Sequence, residues 1–245
     1  MIINVHGGHN RIVPGASGYL DEVEQDRAVA ARVMDKLRAL GHTVYDCTDN
    51  AGRTQGQNLA NIVKQCNAHK ADLDVSIHLN SGGGTGTEVL VYSDAGTAAS
   101  YAVKICAAIS GLGYRNRGVK ERKELYVLRH TKAPALLVEC CFADSAADAQ
   151  RFDADKMAAA IVRGITGQTV SQTSAAPAQQ SGYRVCVTAS TLNVRRDHSA
   201  SSTVTTQVHK GEVYTIVDEY NNGGTMWGKL KSGAGWIALK YTQRV

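Results

Sequence analysis

The sequence predicts an α/β domain, a twisted and mostly parallel sheet with helices on both faces, followed by a small all-β barrel or sandwich. Three observations predict it. Up to residue 166, short apolar runs alternate with amphipathic stretches, the pattern of strands covered by helices. Residues 167–182 carry no charge and almost no large apolar side chain, which is the composition of a linker. Beyond it the chain turns into short β-rich runs separated by turns rich in Gly, Asn and Ser. The expected domains are therefore residues 1–166 and 183–245.

The elements follow in order. Ile2 to Val5 reads as a short first strand, and residues 22–40 as a helix with Val29, Val33, Leu37 and Leu40 on one stripe, ended by Gly41. Thr43 to Cys47 is a second strand. Leu59, Ile62, Val63 and Cys66 mark another helix, and Leu73 to Leu79 a buried strand that runs into Asn80-Ser81-Gly82-Gly83-Gly84. Further strands are expected at Glu88 to Tyr92, Leu125 to Leu128 and Ala135 to Cys141, with helices near 95–110 and 145–165. In the second domain the expected strands are Val185 to Val187, Thr191 to Val194, Glu212 to Val217, Trp227 to Leu230 and Gly235 to Ile237, with nothing helical.

The bulk properties exclude several classes. An apolar fraction of 43% is ordinary for a globular chain. A net charge of +5 in 245 residues is too mild and dispersed for a nucleic-acid partner. Most of it, +4, lies in residues 182–245. No apolar run approaches the roughly 20 residues that span a bilayer, and the start, Met-Ile-Ile-Asn-Val-His6, reads as a strand rather than a secretory leader. Six cysteines are scattered without a CxxC pair and read as buried free thiols.

Ligands of α/β sheets bind beyond the carboxyl ends of the strands. Three strand exits carry reactive groups: His6-Gly7-Gly8-His9, His78 after Val75-Ser76-Ile77, and Glu139 after Leu136-Leu137-Val138. A catalytic zinc takes three imidazole or carboxylate ligands and keeps a position for water. Histidines from two exits supply part of that set, and Glu22 or Glu24, at the start of the first helix, the rest. Glu139 stands between Leu-Leu-Val and Cys-Cys-Phe, so its carboxylate should be partly buried, with the raised pKa that suits a general base. The run Gly82-Gly83-Gly84-Thr85-Gly86 lacks the Lys-Ser/Thr ending of a phosphate loop and reads as a flexible rim.

Gly8-His9, Pro14-Gly15-Ala16, Glu22, Ser76-Ile77-His78-Leu79-Asn80 and Pro134-Ala135-Leu136-Leu137-Val138-Glu139 resemble, in order and spacing, the zinc N-acetylmuramoyl-L-alanine amidases of the phage-endolysin and autolysin branch. The resemblance covers residues 1 to about 166. It implies one Zn²⁺ held by His9, Glu22 and His78, with Glu139 as the catalytic carboxylate. Matching Gly8-His9, rather than His6-Gly7-Gly8, to the family's motif keeps the Pro-Gly-Ala stretch in place without gaps. Glu22 stands 19 positions before Gly41, the family's spacing from ligand to helix end; Glu24 fits the alternative match of Glu-Gln-Asp. Asn80 is expected near the metal or in its turn, and His130 as a substrate contact. Most of His42, His69, His130, His198 and His209 are expected at the surface or in loops.

Thr191-Leu192-Asn193-Val194-Arg195, Met226-Trp227-Gly228-Lys229-Leu230 and Gly235-Trp236-Ile237 resemble a bacterial SH3 domain, departing from it at Asp197. The resemblance implies binding to cell-wall peptide or polymer, with Trp227 and Trp236 in a small core. The reaction implied for the whole chain is hydrolysis of the amide between N-acetylmuramic acid and L-alanine in peptidoglycan. The enzyme would be made in the cytoplasm and act on the wall after release or lysis. The rival readings are a zinc peptidase that cuts within the stem peptide and a non-catalytic wall-binding protein. The full ligand set and Glu139 argue against the latter.

Overall fold

The computed structural model describes residues 1–168, 183–196, 198–200, 202–222 and 225–245. Most of the expected linker, and Asp197, lie outside the described residues. The chain divides into two compact units, Met1–Val170 and Ser171–Val245.

The first unit contains strands β1 (Ile2–Gly7), β2 (Thr43–Asp46), β3 (Leu73–Asn80), β4 (Thr87–Val91), β5 (Asn116–Glu121) and β6 (Ala135–Phe142). They form one sheet in the order β2-β1-β3-β6-β4-β5, parallel except where β4 runs against β6. Its helices are α1 (Glu22–Ala39), α2 (Gln55–Cys66), α3 (Thr97–Ser110), α4 (Tyr126–His130), α5 (Ala146–Arg151) and α6 (Ala154–Thr166). Short polar side chains start them: Asp21 accepts from Glu24 N, Thr54 from Gln57 N, and Asp153 from the amides of Asp155 and Lys156. Gly167, at φ +71°, ends α6 in the left-handed conformation that spares a glycine the Cβ clash.

Helices cover both faces. Val29, Val33 and Leu37 of α1, Ile105 and Ile109 of α3, and Met157 and Ile161 of α6 pack with Ile3, Val5, Val75, Ile77, Val89 and Val138 in the main core. On the opposite face Ile62, Val63 and Cys66 of α2 and Val127 and Leu128 of α4 cover Leu90, Ala135 and Leu137. Among the described residues no helix is long and apolar enough to cross a membrane, and all six cysteines are free, five of them buried.

Three expectations are corrected. Leu125 to Leu128 is not a strand but the start of α4; an apolar run of that length suits either element. The helix expected over 145–165 is two helices, because the Asp153 side chain caps a new start. Strand β5 escaped notice because its sequence, Asn-Arg-Gly-Val-Lys-Glu, carries the charges of a sheet edge rather than a core pattern.

The second unit is an antiparallel sheet, β13-β7-β10-β11-β12-β8-β9. Its strands are β7 (Tyr183–Val187), β8 (Thr191–Arg195), β9 (Val204–His209), β10 (Val213–Asn222), β11 (Thr225–Leu230), β12 (Trp236–Ala238) and β13 (Thr242–Arg244). Its core gathers Val185, Val187, Leu192, Val194, Val208, Ile216, Leu230 and Ile237. A turn of 3₁₀ helix at Leu239–Tyr241 is the exception to the all-β expectation. Trp227 is buried, whereas Trp236 is half-buried, with the His198 ring edge-on at 5.2 Å and Lys229 Nζ 5.8 Å from its ring centre.

Candidate metal centre and adjoining cavity

The carboxyl ends of β1 and β3 and the first turn of α1 meet at one point. Ligand atoms of His9, Glu22 and His78 lie within 4.8 Å of one another. His78 Nδ1 is 3.0 Å, and His9 Nε2 3.6 Å, from Glu22 Oε1, and the imidazoles meet edge to face with centres 5.0 Å apart. Glu22 is delivered by the loop before α1, where Glu22 N donates to Ala16 O and Leu20 N to Ala143 O. Its carboxylate accepts from the amides of Ala16 and Leu79. Two glycines make the convergence possible. A Cβ on Gly8 would overlap the His78 ring, and one on Gly15 would overlap Glu22 Oε2 and crowd the His9 ring.

Burial by itself raises the Glu22 pKa, but the His78 hydrogen bond and charge, the Ala16 amide and His9 together hold it below the ordinary value. Burial likewise opposes protonation of His78, yet the carboxylates of Glu22, Glu139 and Asp26 outweigh it and raise its pKa. His9 is pushed down by burial and by His78. Asp26, one turn after Glu22, is raised to about 7 by burial and accepts the His9 amide at 3.2 Å. Arg27 donates to the His9 carbonyl at 2.7 Å and so ties down the same loop.

The alternatives left open by the sequence occupy other surroundings. His6 is buried, with Nδ1 3.5 Å from Ser76 Oγ and its pKa lowered to about 3 by burial and by His78. Glu24 is exposed, and its amide donates to the helix-capping Asp21. Neither belongs to the cluster.

Glu139 stands directly opposite His78 in the β3–β6 register and opposite Glu88 in the β6–β4 register. Burial, against the pull of His78 and with the help of Glu22 and Glu88, raises its carboxyl to about 7. Among the described residues its Oε2 has no hydrogen-bond partner. Asn80 donates to Glu88 at 2.8 Å and accepts from Ser81 N, and Arg117 holds the other Glu88 oxygen at 2.8 Å. Glu88 was missed in the sequence, although an acid leading into Val-Leu-Val carries the same signal that singled out Glu139.

A cavity of about 350 Å³ adjoins these groups, lined by His9, His78, Asn80, Glu88 and Glu139 on one side and by Arg122 and Tyr126 on another. His130 is not brought to it. It lies exposed at the end of α4, its ring 4.3 Å from that of Tyr126.

Two imidazoles and a carboxylate converging at the carboxyl edge of an α/β sheet define a candidate metal centre of the hydrolytic kind. Residues 1–167 match the family model of the N-acetylmuramoyl-L-alanine amidases, and residues 190–243 that of the bacterial SH3 domain. The chain belongs to the N-acetylmuramoyl-L-alanine amidase family. It is 37% identical over 154 residues to an uncharacterised protein of Clostridium perfringens, covering 60% of this chain and 45% of that one. It is 31% identical over 167 residues to the sporulation-specific N-acetylmuramoyl-L-alanine amidase of Bacillus subtilis, covering 66% of this chain and 64% of that one. Among solved structures, the catalytic domain of the CD27L endolysin targeting Clostridia Difficile matches with a TM-score of 0.65 at 28% identity, over 69% of this chain and 99% of that one. The chain thus spans about half the length of the first curated relatives it matches, 45% for the C. perfringens protein.

Proposed function

We propose that this protein is a zinc-dependent peptidoglycan hydrolase that cleaves the amide between the lactyl group of N-acetylmuramic acid and the L-alanine of the stem peptide. The observation that carries this reading is the Glu139 oxygen without a partner among the described residues, beside the His9, Glu22 and His78 cluster, in a chain of the amidase family.

The donor set, two imidazoles and one carboxylate, is that of a catalytic zinc, and Gly8 and Gly15 leave the three side chains room to converge. His9, Glu22 and His78 would hold the ion. Bound zinc supplies a Lewis acid for the amide carbonyl and a water acidic enough to attack near neutral pH. Glu139 would take a proton from the attacking water and deliver it to the departing L-alanine nitrogen. Asn80, held by Glu88, forms part of the substrate-facing wall. Residues 183–245 act as the cell-wall-binding domain, joined to the catalytic domain, residues 1–166, through 167–182.

Mass spectrometry of digested cell walls tests the reading. The expected products are peptides with a free L-alanine amino terminus and unsubstituted muramic acid, and their release stops when zinc is chelated. Glu139→Gln should lower kcat by about 10²–10⁴-fold with zinc still bound. Cuts inside the stem peptide would replace the amidase by a peptidase, and undiminished cleavage by Glu139→Gln would remove Glu139 from the mechanism.

A further inference from the structure

The amidase reading leaves open what recognises the peptide side of the substrate, and the cavity beside Glu139 has the chemistry to do so. The proton that Glu139 delivers must reach the alanine nitrogen, so the peptide leaves on the side of the cluster where Glu139 stands. Part of the cavity's wall is apolar, built from Leu59 of α2, Leu125, Tyr126 and Val127 around α4, and Leu90 and Leu137 of the sheet. Such a wall suits the alanine methyl group. The charges that line the cavity besides the metal cluster are Glu88, Glu139 and Arg122, which makes Arg122 the sole Lys or Arg among the described lining residues.

Glu88 is already paired with Arg117, so among the described lining residues Arg122 is the cation left to meet a carboxylate of the peptide. The Arg122 backbone is fixed on both sides: its amide donates to Val91 O at 2.9 Å and its carbonyl accepts from Leu125 N at 3.3 Å. Its Nε pairs with the exposed Glu124, but a guanidinium has five N–H donors, so one ion pair does not exhaust it. The second residue of the stem peptide, D-glutamate linked through its γ-carboxyl, carries an α-carboxylate one residue beyond the cleaved bond. In some walls that group is an amide instead.

We propose that Arg122 selects for a free α-carboxylate on the second residue of the stem peptide. The proposal rests on the amidase reading, and the experiment separates the two. The full chain, loaded with zinc, is given N-acetylmuramoyl-L-alanyl-D-glutamate, γ-linked beyond the alanine, and its α-amide counterpart. The acid should be cleaved with a kcat/KM about tenfold higher, mostly through KM, as expected for a charge-assisted hydrogen bond in a partly solvated site. Arg122→Gln should bring the ratio close to one, Arg122→Glu should invert it, and Glu124→Gln, which releases the guanidinium, should increase it.

Equal kcat/KM for the two substrates in the wild type, or an unchanged ratio in Arg122→Gln, overturns the proposal. If Arg122→Gln does not fold, the wild-type ratio and its rise in Glu124→Gln decide the matter. If the wild type cleaves neither substrate, the amidase reading fails. Calorimetric binding of L-alanyl-γ-D-glutamate and its α-amide then tests Arg122 by the same tenfold preference.

Discussion

The two faces of the six-stranded sheet differ sharply, although the same strands build both. Along β3, Val75, Ile77 and Leu79 point into the main core, while Ser76, His78 and Asn80 alternate with them on the other face. Along β6, Val138 faces that core and Leu137 and Glu139 face α2 and α4; along β4, Val89 and Leu90 divide in the same way. The first face is closed by α1, α3 and α6 and is apolar. The second is apolar only where α2 and α4 cover it, and its polar residues gather toward the strand ends. A period of two thus lets one strand supply stability on one side and chemistry on the other.

The comparison is broken most forcefully by changing neighbours that point to opposite faces. Ile77→Ala should lower stability by about 2–5 kcal/mol in chemical denaturation while zinc affinity stays unchanged, because Ile77 is fully buried among core residues. A loss of zinc affinity equal to that of His78→Ala would show that the faces are not independent. Gly8→Ala tests the polar face alone. Its added methyl displaces the His78 ring, so zinc affinity, measured against a competing chelator, should fall by about 10–100-fold with the main core intact.

The smallest effect concerns the cost of the unpaired carboxylate. In the metal-free protein burial raises the Glu139 carboxyl from 4.5 to about 7. Between those values the folded protein holds a proton that the unfolded chain has released, so this group makes stability fall as pH rises through the window. Glu139→Gln removes that contribution. Thermal unfolding of metal-free protein should show no gain for the variant below about pH 4.5 and a gain of about 1–3 kcal/mol above about pH 7. A gain that grows toward acid pH would refute the buried-carboxylate account.

Much of the fold was legible because its signals are local. The stripe Val29, Val33, Leu37 and the glycine after it define α1, and the apolar run at Leu73 to Leu79 defines β3. Glu139 was legible for a related reason, since an acid between Leu-Leu-Val and Cys-Cys-Phe has to sit where a core ends. Arg122 and Tyr126 were not. Tyr126 falls in the run Leu125 to Leu128 that reads as a strand, and Arg122 in the turn before it, and only the tertiary structure places both at the cavity.

The sequence by itself determined the alternation of strands and helices, the strands at Ile2 to Val5, Leu73 to Leu79 and Ala135 to Cys141, the helix that Gly41 ends, and the short set of histidines and acids at strand exits. These depend on neighbours within a turn or two. Only the tertiary structure decided which members of that set converge. His6 and His9 leave the same strand three positions apart, and Glu22 and Glu24 share one helical turn. The deciding quantity is the distance to His78, far along the chain. That distance is set by the parallel pairing of β1 with β3 and by the loop that seats Glu22 against Ala16 and Leu79, contacts that no local stretch of sequence encodes.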